Sequence, residues 1–191
     1  MASNIHFAGI SGSLRKDSFN SKLLREVQKL LPEGVSMDII SIADIPVYNA
    51  DEDLPAVSAR PGAVTAFREA LAKANGLVIV SPEYNYSIPG GLKNAIDWAS
   101  RGEDSPLLKK PVALMGATPG LWGTVRMQVA FHTVFQFLDM KPVYKPEVLL
   151  AKADTKFDEL GNLTDQFAKD IVRKKLQALK QLCENIDQHT S

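Results

Sequence analysis

An α/β fold, with a parallel sheet covered by helices on both faces, is what this 191-residue sequence predicts. Three observations carry the prediction. Strand-like and helix-like patterns alternate along the chain, which implies parallel strands joined by helical crossovers. The first, third and fourth strand-like runs are almost continuously apolar, as in strands buried on both faces. Composition permits the core this needs: 45% of residues are hydrophobic and 23% charged, an ordinary globular balance. The length suits a single domain, residues 1–191.

The elements follow in order. Ile5–Ile10 is mostly apolar and leads into a Ser/Gly loop. Leu23, Leu24, Val27, Leu30 and Leu31 then recur at helical spacing, until Pro32 and Gly34 stop the helix. Val35–Ile42 alternates apolar and polar residues as a second strand. Ala43–Ala56, with two prolines and four acids, reads as a surface loop. Ser58–Ala74 places Val64, Phe67, Ala70, Leu71 and Ala74 on one helical face, and Asn75-Gly76 reads as its stop. Leu77–Ser81 is the third strand, Gly91–Ser100 the third helix and Val112–Gly116 the fourth strand. A helix over Thr124–Asp139, a fifth strand near Tyr144–Leu150 and a last helix over Thr164–Ile186 complete the pattern.

Several function classes are disfavoured at once. The 22 cationic and 22 acidic residues cancel, so no net field draws the chain to nucleic acid or anionic membrane. No apolar run approaches the ~18 residues of a membrane span. The N-terminus lacks a signal-type segment, and Cys183 is the only cysteine, so a reducing cytoplasm is expected. Three scattered histidines and one cysteine give no metal-ligand spacing. His6 and His132 fall inside a strand and a helix and read as structural residues.

Two doubly wound strand orders fit the pattern, the flavodoxin-like and the dinucleotide-binding one. In both, ligands bind beyond the carboxyl ends of the strands, so the loops after strands one, three and four are the informative ones. In the first, Ser11, Ser13, Ser18 and Asn20 offer short hydrogen-bonding side chains, and Arg15 adds a charged fork. The helix beginning near Ser18–Asn20 turns its free amides toward this loop, which suits a terminal phosphate monoester. The loop is neither G-x-x-x-x-G-K-[ST] nor G-x-G-x-x-G, because Ser11 sits where a second glycine belongs. Such a loop also has a plainer use, as an ordinary turn before a capped helix.

The second loop, Ser81–Trp98, is stiffened by Pro82 and Pro89 and relieved by Gly90 and Gly91. Glu83, Tyr84, Asn85 and Tyr86 can present main-chain groups to a heterocycle, and Tyr86 can form an aromatic wall. A rigid turn with surface tyrosines is the alternative. In the third loop, Thr118 and its glycines stand where the far edge of such a ring would lie. Trp122 either lines the opening or packs as core or interface. Arg101, just past the third helix, is expected near the mouth, either attracting an anionic substrate or simply balancing the helix end.

With these loops in view, the chain resembles the NADPH-dependent FMN reductase family, and especially its bacterial chromate or quinone reductase branch. The likeness rests on Gly9-Ile-Ser-Gly-Ser-Leu-Arg15 with Ser18 and Asn20, on Ser81–Trp98 almost throughout, and on Gly116–Arg126. It implies a flavodoxin-like fold with a five-stranded parallel sheet, bound FMN, and NADPH or NADH as donor. It also implies a dimer or tetramer. Ser11, Ser13, Leu14, Arg15, Ser18 and Asn20 match the family's phosphate loop. Pro82, Glu83, Tyr84, Asn85 and Tyr86 match its isoalloxazine loop, with Thr118 beside it. Leu121 and Trp122 are bulkier than the family usually carries there.

The expected chemistry is two-step transfer through FMN, first from NAD(P)H and then to a quinone, chromate, an azo dye or free flavin. No catalytic side chain is expected. A non-enzymatic FMN electron carrier and a dehydrogenase using Asp44 for a ribose are the competing readings. Apolar residues cover more than one face of the fourth helix, from Val125 to Leu138. This predicts a subunit contact there or burial under the C-terminal helix.

Overall fold

A computed structural model of the chain describes residues 4–53 and 60–190. The expected α/β sandwich is observed, with the strand order β2-β1-β3-β4-β5. Its strands are β1 (Ile5–Ser11), β2 (Val35–Ile40), β3 (Gly76–Val80), β4 (Pro111–Ala117), β5 (Lys141–Pro142) and β6 (Val148–Leu150). Its helices are α1 (Phe19–Lys29), α2 (Gly62–Lys73), α3 (Gly90–Ala99), α4 (Val125–Phe137) and α5 (Gln166–Thr190). All strand pairs are parallel. This is the flavodoxin-like order, and it reverses between β1 and β3, where the two informative loops leave the sheet side by side.

The period of two along each strand divides the core. Val78 and Val80 of β3 join Ile5, Phe7, Ala113 and Met115 on one face, covered by α1 and α5. Leu77 and Ile79 join Ala8, Ile10, Val112 and Leu114 on the other, covered by α2, α3 and α4. Helix α5 therefore lies on the opposite layer from α4. Burial of α4 under the C-terminal helix, one of the two readings of its broad apolar surface, is excluded.

Four local expectations are corrected. The fifth strand is broken: β5 pairs with the start of β4 and β6 with its end, and Tyr144 falls in the gap. Pro146 lies in that gap, and a residue without an N–H donates nothing to a ladder. Helix α2 starts at Gly62 rather than Ser58, after Pro61, and a residue preceding proline disfavours the helical region. Ser58 itself lies outside the described residues. Gly76 is the first residue of β3 and not a helix stop; a Cβ there would press on Phe7 and Cys183 at about 3.1 Å. Finally, the loop after β2 is only partly a surface loop. The Pro46 carbonyl accepts from Asn94 Nδ2 and Trp98 Nε1, both at 2.8 Å, and Asp53 is buried on Arg60 at 2.6 Å.

Candidate functional site

The loop between β1 and α1 is organised by its serines. Ser11 Oγ accepts from the Ser13 amide and contacts Ser21 Oγ at 2.9 Å. Ser13 Oγ accepts from the Arg15 amide, and Ser18 caps α1 by accepting from the Asn20 amide. These bonds leave other donors free: among the described residues the amides of Leu14, Lys16, Asp17 and Phe19 have no hydrogen-bond acceptor. A run of unpaired amides at a helix start is a ready anion cradle. Gly12 straps the loop to the sheet through its amide and the Val80 carbonyl, 2.9 Å apart. A Cβ at Gly12 would lie 2.3 Å from Ser81 Oγ, so only glycine permits this approach.

Asn20 does something other than expected. Its buried side chain donates to the Ala117 carbonyl and accepts from the Ala117 amide, both at 2.9 Å. It clamps the start of α1 to the end of β4, and its amide group is committed there rather than offered to an anion. Arg15 and Leu14 are exposed at the loop's tip. Leu14 reaches across to within 4.0 Å of a Cβ position at Gly91.

The loop after β3 is a tight hairpin. Tyr84 and Ser87 exchange both backbone bonds, at 3.1 and 2.9 Å, around Asn85 (φ 49°) and Tyr86 (φ 63°). Positive φ at both central residues marks a type I′ turn. For tyrosine this is an uncommon conformation, held at a cost of order 1–3 kcal/mol and typical of functional loops. The turn presents Tyr84 and Tyr86 outward at the sheet's rim, next to open space beside Gly90.

Glu83 reaches away from this hairpin. Its Oε2 accepts from the amides of Arg126 (2.9 Å) and Met127 (3.2 Å). Thr124, the N-terminal flanking residue of α4, is left-handed (φ 68°) and makes no side-chain cap, so Glu83 supplies the cap from another loop. The Arg126 guanidinium returns to Glu83 Oε1 at 3.4 Å and lies over the rings of Tyr86 (4.0 Å) and Trp122 (5.2 Å). Trp122, 65% exposed, is therefore not core. Sequence reasoning did not place Arg126 in the site. Its helical position beside the third loop was the available signal.

Thr118 stands half-buried at the end of β4. Its amide donates to Leu150 and its hydroxyl accepts from Gly120, shaping the third loop. Arg101 is not at the mouth. Helix α3 starts at the hairpin and runs back along the sheet, so its far end stands roughly 15 Å away at 1.5 Å per residue. There the Arg101 guanidinium lies 5.0 Å from the Tyr48 ring. His6 and His132 are also remote: His6 bonds Ser36 on β2, and His132 stacks edge-on against Tyr144.

The three loops thus converge at the switch point with an anion cradle at one side and an aromatic hairpin at the other. Residues 5–155 match the family model described as NADPH-dependent FMN reductase. The chain belongs to the NADPH-dependent FMN reductase family. An NAD(P)H-dependent FMN reductase of Pseudomonas aeruginosa is 45% identical over 180 residues, covering 94% of this chain and 96% of that one. A quinone reductase of Escherichia coli is 38% identical over 188 residues, covering 97% and 99%. Among solved structures, the flavoenzyme NAD(P)H:(acceptor) oxidoreductase of Paracoccus denitrificans superposes with a TM-score of 0.84 at 29% identity. That match covers 95% of this chain and 98% of the other.

The geometry of this FMN reductase family member fits the cofactor. The free amides of Leu14, Lys16, Asp17 and Phe19 suit a phosphate dianion, and Gly12 keeps the loop close to β3 so that one ligand can reach both loops. The hairpin beyond β3 offers a rigid edge and aromatic faces to a tricyclic ring. Enzyme class, FMN as cofactor and NAD(P)H as donor therefore stand as the sequence led one to expect.

Proposed function

We propose that the protein is an FMN-dependent NAD(P)H oxidoreductase whose acceptors are quinones. The carrying observation is the pairing, at adjacent strand ends, of a set of amides without a protein acceptor and a strained aromatic hairpin. FMN, held by the loop after β1 and the hairpin after β3, would supply the redox chemistry between donor and acceptor. The chain's own residues bind and orient. Ser13 and Ser18 hold the amides of Leu14, Lys16, Asp17 and Phe19 in place for the phosphate, with Arg15 at the loop's tip as a further charge-assisted donor. Pro82, Tyr84, Asn85 and Tyr86 set the edge of the ring, and Thr118 borders its far side. Glu83 and Arg126 fix the hairpin to α4, and the exposed rings of Tyr86 and Trp122 both lie against the Arg126 guanidinium. Exposed aromatic faces favour planar, electron-poor rings, as quinones are; chromate, azo dyes and free flavin are the further acceptors to compare. No titratable side chain is required at the reacting face. We place the enzyme in the cytoplasm and propose that it self-associates through the exposed side of α4.

The test is steady-state turnover of the FMN-loaded protein with NADPH and NADH against benzoquinones, naphthoquinones, chromate, an azo dye and free FMN. The expected outcome is the highest kcat/KM on a quinone. Protein that stays colourless after incubation with FMN, or that holds FMN without turning over either donor, would overturn the reading.

A further inference from the structure

Three cationic side chains are buried among the described residues: Arg60, Arg68 and Lys175. The two arginines meet acids, Arg60 at 2.6 Å from Asp53 and Arg68 at 3.0 Å from Asp104. Lys175 of α5 does not. Among the described residues no carboxylate lies within 4.0 Å of its ammonium. That group carries three N–H donors, and the Val143 carbonyl is its one hydrogen-bond partner there. Burial lowers its pKa to about 8, so at pH 7 it is still mostly charged. A buried charge is costly unless it is paired, and this one has only a neutral acceptor.

Lys175 also lines a cavity of about 150 Å³. The cavity lies at the sheet's broken edge, between α4 and the chain that crosses from β5 to β6. No residue of the loop after β1, of the hairpin after β3 or of the third loop lines it. It shares no wall with the flavin site of the oxidoreductase reading.

The lining narrows the ligand. Leu114 and Phe135, both buried, give an apolar floor that Leu149 extends. His132 and Tyr144 stand edge-on at the exposed rim, their ring centres 5.4 Å apart. Glu147 is the one acid on the cavity, and it is exposed and turned to Lys145 at 2.9 Å. Lys175 is therefore the only buried polar side chain of the lining, and the acid beside it is engaged elsewhere. A buried ammonium with spare donors suits an anion, and a carboxylate accepts from it with charge on both partners. The apolar floor and aromatic rim suit a flat apolar body. An apolar cavity of about this volume admits a benzene ring.

We propose that this cavity binds a small aromatic carboxylate, whose anion completes the hydrogen bonding of Lys175 and whose ring lies on the apolar floor. The proposal does not rest on the oxidoreductase reading.

The test uses FMN-loaded protein, so that the flavin site is already filled. Sodium benzoate is titrated calorimetrically at pH 7 into the wild type, into Lys175→Met, and into Leu149→Trp, which keeps the ammonium and fills the cavity. Benzamide, of the same shape without the charge, is titrated into the wild type. The expected result is saturable binding of benzoate to the wild type, at least about tenfold weaker binding to both variants, and at least about tenfold weaker binding of benzamide, as loss of a charge-assisted bond implies. The flavin absorption spectrum is expected to stay unmoved throughout. Absence of benzoate binding to the wild type overturns the proposal. So does equal affinity in Lys175→Met or in Leu149→Trp. Benzamide bound as tightly as benzoate overturns it too, because the ammonium would then contribute nothing; this comparison needs no variant to fold. A flavin spectrum that shifts as benzoate binds would place the ligand at the flavin and not at Lys175.

Discussion

Glu83 shows how one residue can be conspicuous in a sequence while its work stays hidden. It stands in the Pro-Glu-Tyr-Asn run that marks the ring loop, yet its carboxylate caps a helix 43 residues away. Two amide bonds and one guanidinium contact end on it. Removing them leaves the start of α4 uncapped and frees Arg126 from the hairpin. Glu83→Ala is expected to lower stability by ~1–2 kcal/mol in urea denaturation, with Glu83→Gln losing less because one acceptor oxygen remains. Equal stability of Glu83→Ala and wild type would show that the cap contributes nothing. Asn20 belongs with Glu83: its partner, Ala117, is 97 residues distant. No local pattern announces a bond of that separation. The I′ turn at Asn85-Tyr86 was equally hidden, because tyrosine is not a residue from which positive φ is inferred.

At the scale of elements, periodicity located nearly every helix and strand to within a few residues, because burial on a sheet imposes its period on the sequence. It failed where pairing is interrupted, between β5 and β6. Helix α4 carries the clearest consequence of exposure. Its Met127, Phe131 and Phe135 are buried, whereas Val129 is 57% and Phe137 73% exposed. A groove between α3 and α4, lined by Ile96, Val134 and Phe137, adjoins this apolar side. Light scattering at micromolar concentration is expected to give a multiple of the 20.9 kDa chain, and Val129→Asp/Phe137→Asp to give the single-chain mass. A wild-type particle of one chain's mass would reject self-association through α4.

For the whole molecule, the layers are joined at the sheet's broken edge by Lys175. This α5 residue is 2% exposed and donates to the Val143 carbonyl, in the gap between β5 and β6. Burial lowers its pKa from 10.5 to about 8, with Glu147 pulling weakly the other way. Between about pH 8 and 10.5 the unfolded chain then holds more protons than the folded one, so stability rises with pH across that window. Lys110, whose half-buried side chain donates to the Leu71 and Ala74 carbonyls, is shifted in the same direction by its desolvation. Urea denaturation is expected to show a gain of ~1–3 kcal/mol from about pH 7.5 to 10. In Lys175→Met the gain shrinks to what Lys110 supplies. A wild-type profile that is flat or falls with pH in this window would contradict the assignment.

The sequence by itself determined the alternation of strands and helices, the burial of the central strands, and the two loop motifs that carry the family likeness. Each is written in neighbouring residues: a period of two or of 3.6, a proline, a serine before a helix. Only the tertiary structure decided between the two doubly wound orders, carried Arg101 a helix length from the hairpin, turned Asn20 and Glu83 to distant helix and strand ends, and set the buried Lys175 on a cavity at the sheet's broken edge. Those outcomes depend on which strands lie side by side, and that choice is made by contacts between residues far apart in the chain, which no local pattern records.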